Sequence, residues 1–193
     1  MIQFENFFGY VVENPMWIFL MIILILATIY DLYKRKIPNI LILFGLIFGL
    51  VSQLFMPHSL GFMQWGVGVL VGFICFFPLY FLRGMAAGDV KLMMLVGCFL
   101  GFPLVLTAAL YSYVAGGVMA IMIVLAKGKL KQSLHNIKSI LTPLYIKVTS
   151  GVDIGDGLIN KNNIEQASVG RMPYALAIAA GTLLALYFES TKI

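Results

Sequence analysis

The chain has 193 residues, of which 61% are hydrophobic and 11% charged, and its net charge is +5. A soluble domain carries about 25% charged residues, and a mean hydropathy of +0.98 excludes a soluble enzyme, a disordered chain and a free-standing nucleic-acid reader. The composition is that of an all-α polytopic membrane protein, in which surplus Lys and Arg report topology rather than nucleic-acid binding.

A helix that crosses a bilayer needs about 20 apolar residues. The first run, 15–33, holds a single charge, Asp31, near its end. No basic stretch precedes it and no small-residue cleavage site follows, so it reads as a span and not as a removable leader. Further spans are expected over 37–56, 62–82, 88–100, 104–126 and 173–188, the fourth short and closed by Gly101 and Pro103. Residues 127–172 form the one long polar stretch. Within it Leu130, Leu134, Ile137, Leu141 and Leu144 recur at helical spacing beside Lys131 and Lys138, the pattern of an amphipathic helix on the inner leaflet. The whole is expected to be one membrane-embedded domain.

Alternating the loops across the membrane puts twelve of the thirteen basic residues on one side and only Lys192 on the other. By the positive-inside rule the rich side is cytoplasmic, and both termini lie outside. Four GxxxG spacings occur, at Gly45/Gly49, Gly68/Gly72, Gly84/Gly88 and Gly97/Gly101. Small residues at this spacing let helix backbones approach in lipid, and packing is the expected role of all but the Gly84/Gly88 pair. Asp153 and Asp156 lie in a glycine-rich turn without the ligand order of a calcium loop, and Cys75 and Cys98 stand too far apart for a CxxC site. No metal or other cofactor is expected. His58 and His135 read as ordinary surface residues.

Of eight acidic residues, only Asp31 and Asp89 fall within spans. Ionisable groups there are costly and point to function. Asp31 is near the cytoplasmic end of the first span and Asp89 at the cytoplasmic start of the fourth, so the two share one side and depth. Such a pair can divide the work of general base and general acid around one water. The plain alternative is two interfacial charges, Asp31 paired with Lys34 or Arg35 one turn on and Asp89 with Lys91. Position alone leaves both readings open.

The surrounding residues bear on that choice. Asp31 begins DLYKRKIPN, Asp89 sits in GMAAGDVKLM, and GRMPYALAIAAG opens the last span. Together these resemble the prepilin peptidase family, the GxGD-type aspartyl proteases of membranes, from Trp17 onward. The first Gly of GxGD is Ala86 here, which is tolerated unless that position needs a positive φ. The resemblance implies an aspartic endopeptidase with Asp31 and Asp89 as the catalytic pair, acting without a cofactor. Gly84 and Gly88 would let an extended substrate backbone approach Asp89. Lys91 would anchor or tune the site, and Asn39, after Pro38, would bond the turn or the substrate.

The chain resembles the short, cleavage-only members of the family that process Flp-type (tight-adherence) pilins. It shows no CxxC-bearing methylation domain, so no methyltransferase activity is expected; archaeal preflagellin peptidases are close in architecture. The implied partners are the lipid bilayer, the pilus-assembly machinery and a pilin precursor with a basic leader and a hydrophobic helix. No nucleic acid is implied. The implied location is the cytoplasmic (inner) membrane, with the pilin helix lying in a groove near spans one and four. The competing readings are a small proton- or cation-coupled transporter and a catalytically inactive pilus-assembly protein.

Overall fold

The structure is a computed structural model that describes residues 9, 15–55, 61–82, 84–126, 128 and 173–191. The predicted amphipathic helix, Asp153, Asp156, His58 and His135 lie outside these residues. The chain divides into two compact units, Met1–Gly117 with Pro173–Ile193, and Val118–Met172. Of the second, the described part is the end of one helix and residue 128. The site lies in the first.

Six helices form: α1 (Pro15–Lys34), α2 (Asn39–Phe55), α3 (Phe62–Phe81), α4 (Ala87–Leu100), α5 (Leu104–Ala126) and α6 (Tyr174–Ser190). Each lies on one of the apolar runs. Three of them, α1, α3 and α5, are long and apolar enough to cross a membrane, while α2 and α6 are shorter apolar helices. Proline marks several boundaries. Pro15 opens α1, where its missing N–H costs nothing, and Pro38 precedes α2. α1 ends because Arg35 turns to a φ of 51°, a left-handed cap. From that turn the short connection through Pro38 leads into α2.

The helices have two kinds of apolar face. On α1 the buried residues are Met16, Leu20, Ile23, Leu24, Ala27 and Asp31, one stripe at helical spacing. Its opposite face exposes Ile18, Ile22, Ile25 and Ile29. α3, α5 and α6 likewise expose Leu70, Ile74, Leu110, Val114, Ile121, Leu183 and Phe188. Aliphatic and aromatic side chains on every outer face suit a lipid surround and not water.

α4 is the exception, buried almost all round from Asp89 to Leu100. It packs against α1, α2, α3 and α6, and most extensively against α3. The α3–α4 seam needs glycine. A Cβ on Gly68 or on Gly97 would collide with the carbonyl oxygen of the other, and one on Gly72 would press on the Met93 carbonyl. On the other side, Gly45 and Gly49 of α2 make room for Leu95 and Cys98 of α4. Three of the four GxxxG spacings therefore contribute glycines to helix contacts. The fourth differs, because a Cβ on Gly88 would meet only Ile37 at 3.5 Å, an ordinary contact. α5 meets both: Tyr113 donates its hydroxyl hydrogen to the Cys75 carbonyl of α3, and Val105 faces Gly97 of α4.

Candidate functional site

Asp31 is the last member of the buried stripe of α1 and is 7% exposed; Asp89, in the first turn of α4, is 5% exposed. The same burial pattern that packs α1 against its neighbours therefore carries a carboxyl group inward. Asp89 occupies the third position of α4, and its Oδ2 accepts the backbone N–H of Ala86 at 3.2 Å. This is the carboxylate half of a capping box; Ala86 has no side-chain oxygen to return the other half. Asp31 Oδ2 accepts the backbone N–H of Ala175, at the start of α6, at 3.1 Å.

The two carboxyl groups are brought together: Asp31 is near enough to act on Asp89 as a like charge. Tyr174 is near enough to Asp89 to feel it electrostatically as well. Among the described residues, the second oxygen of each carboxyl group has no protein partner.

Two of the cations near the pair have other partners. Lys34 lies over the Tyr30 ring, 5.4 Å from its centroid. Lys91 donates to Asn39 Oδ1 at 3.0 Å. Arg35 acts on Asp31 only through its field. Among the described residues neither Asp31 nor Asp89 forms an ion pair with Lys34, Arg35 or Lys91.

The remaining predicted residues flank the pair. Lys91 and Asn39 bind each other across α4 and α2, so Asn39 bonds neither its own turn nor a carboxyl group. Gly88 faces Ile37, and Gly84 caps the end of α3 through its N–H to the Leu79 carbonyl at 2.8 Å. A cleft of about 670 Å³ is lined by residues that include Asn39, Leu43, Phe73, Phe77 and, directly after Asp89 in sequence, Val90 and Lys91, but not Asp89 itself. It lies between α2, α3 and α4. The groove expected from sequence lies near spans one and four, and this cleft is bordered by the fourth span, α4, with α2 and α3.

Ala86 has φ −82° and ψ 152°, extended backbone that any L-residue adopts. No positive φ is needed where the family pattern has glycine, so the alanine is accommodated without strain. Ala86→Gly should therefore change both activity and stability by no more than about 0.5 kcal/mol, or about twofold. A tenfold gain in cleavage would show that the missing glycine matters.

Among the described residues no three His, Cys, Asp or Glu side chains gather to hold a metal ion. The contribution of α6 was not foreseen from sequence: Ala175 and Tyr174 lie in the PYA block but carry no side-chain acid or base beyond a phenol. Pro173 before a new helix was the available signal, since it marks a first turn whose N–H groups need acceptors.

The model of the type IV leader peptidase family matches residues 18–121, more than half of the chain, and so spans both aspartates. No curated protein and no solved structure matches the chain.

Proposed function

The chain belongs to the type IV leader peptidase family, and on that premise we propose that it removes the short basic leader of a Flp-like pilin precursor with Asp31 and Asp89 as its catalytic pair. The observation that carries the reading is two buried, neighbouring carboxyl groups, each held by one backbone N–H and, among the described residues, neither in an ion pair. A transporter relay would place its acids near the membrane midplane, whereas these lie at the ends of α1 and α4.

In this mechanism one carboxylate takes a proton from a water molecule as the water oxygen bonds to the scissile carbonyl carbon. The other, protonated, hydrogen-bonds the developing oxyanion. Collapse breaks the C–N bond, and that second acid gives its proton to the leaving nitrogen. The chemistry needs no cofactor. The substrate's apolar helix would rest from the lipid side in the cleft between α2, α3 and α4, with its leader junction beside Asp89. Gly88, whose Cβ nothing in the fold forbids, would then be kept small for the passing substrate backbone.

Co-expression with a candidate Flp-like pilin tests the activity. The expected result is a pilin shortened by its leader, seen by mass; unprocessed pilin in the presence of inserted enzyme would overturn the reading. The topology is proposed with both termini outside and the catalytic pair on the cytoplasmic side. On a background without Cys75 and Cys98, a cysteine at position 59 should react with an impermeant reagent added to whole cells. A cysteine between 127 and 147 should be protected, and the reverse pattern would invert the chain.

A further inference from the structure

The first turn of α6 is fixed by an aromatic contact with α5 and α3. Pro173 at its N-cap offers no side-chain bond, so the first N–H groups of the helix need acceptors from elsewhere. One of them, on Ala175, finds Asp31 Oδ2. The adjacent residue, Tyr174, lays its ring across α5 at Gly116. A Cβ on Gly116 would stand 2.5 Å from the Cε2 and hydroxyl of that ring. Phe76 of α3 meets the ring edge-on, with centroids 6.1 Å apart and planes at 73°. The hydroxyl reaches the Ser112 carbonyl at 3.4 Å, a long bond. Farther along the same seam Gly181 of α6 lies against the backbone of Ser112, too close for any side chain. α6 is thus keyed into α5 at two points, and the key nearer the site is the Tyr174 ring.

We propose that Tyr174 is a positioning residue for Asp31: its ring, seated in the Gly116 notch, holds the first turn of α6 where the Ala175 N–H orients the Asp31 carboxyl group toward Asp89. The proposal rests on the reading of Asp31 as catalytic. The ring and not the hydroxyl does the holding, since the ring is enclosed on two sides while the hydroxyl bond is long. Gly116 lies outside the pair itself, yet a side chain there would displace the ring and act on the carboxyl group through it.

The test is a cycle of variants in the full-length protein, purified in detergent and assayed on pilin precursor. Tyr174→Ala should lower kcat by about 10²-fold, the scale of a misplacement near 1 Å, with KM nearly unchanged. Tyr174→Phe should restore kcat to within a few-fold of wild type. Gly116→Val should reproduce the Tyr174→Ala defect, and the double variant should be no worse than Tyr174→Ala alone, because the removed ring vacates the space that valine needs.

A second readout does not need activity. The carboxyl infrared band of Asp31, taken as the difference from the Asp31→Asn protein, should move on Tyr174→Ala and return on Tyr174→Phe. An unmoved band, a KM defect with normal kcat, or additive single effects would each overturn the positioning role. If the wild type cleaves no pilin, the peptidase reading fails while the infrared arm still decides whether Tyr174 orients Asp31.

Discussion

Asp31→Asn and Asp89→Asn should each reduce pilin cleavage to background, a loss of at least the about 10²–10⁴-fold that a positioned acid or base contributes. Asn keeps the size of Asp and one carbonyl oxygen. It can still accept the N–H of Ala175 at position 31 or of Ala86 at position 89, so the local hydrogen bonds survive while proton transfer does not. Among the described residues neither carboxyl group has a cation partner to strand, so the fold should tolerate the exchange, and the thermal midpoint should not fall. Initial rates beside thermal unfolding in detergent separate the two effects. A variant that unfolds at the wild-type temperature but cleaves at a near wild-type rate would end the two-carboxylate mechanism.

Gly97→Ala should be, with Gly68→Ala, among the most damaging small substitutions for stability. The added methyl group meets the backbone carbonyl of Gly68, which cannot rotate away as a side chain does, so α3 and α4 must move apart. Overpacking of this kind costs about 1–3 kcal/mol, and a backbone obstacle places Gly97 at the upper end. Gly88→Ala is the counterpart. Its methyl group meets Ile37 at an ordinary 3.5 Å, and alanine in a helix is favoured over glycine by about 0.5–1 kcal/mol. The two should therefore move the unfolding temperature in opposite directions. If Gly88 clears the path of the substrate, Gly88→Ala should also be the one that loses cleavage while gaining stability. Equal losses of stability at the two positions would refute the distinction.

Much of the helical framework is legible in the sequence because each apolar run carries its own length and its own breakers. Pro15, Pro38, Gly101 with Pro103, and Pro173 bracket runs that the helices then occupy. Asp31 and Asp89 stand out for a related reason: a charge amid apolar residues is visible without knowing its neighbours. Neighbours are what a linear pattern withholds. Periodicity shows that Gly84/Gly88 and Gly68/Gly72 have the same spacing, but not that only the second pair meets a facing backbone. It shows Lys91 and Asn39 as polar residues near the site, but not that they satisfy each other over 52 residues of chain.

The Ala175 N–H is a backbone group and leaves no mark in composition. Arg35 in a left-handed conformation is a position where glycine would be the ordinary signal, and its absence hid the cap. The second unit, Val118–Met172, includes the predicted amphipathic segment, whose reading continues to rest on spacing and charge.

The 14 residues of α4 give it a length of only about 21 Å, against about 30 Å of hydrocarbon in a bilayer. It also begins with a carboxyl group. Such a segment is a poor passenger for the machinery that threads nascent chains into membranes one helix at a time. Its glycine-lined embrace with α3, the segment made just before it, offers a way in: the two can enter as a preassembled hairpin, with α3 supplying the apolar length that α4 lacks. Biogenesis, and not only the finished fold, would then depend on Gly68 and Gly97. A nascent chain with a bulky residue at either position should leave α4 uninserted and exposed to quality-control proteases before any catalytic site exists to be lost.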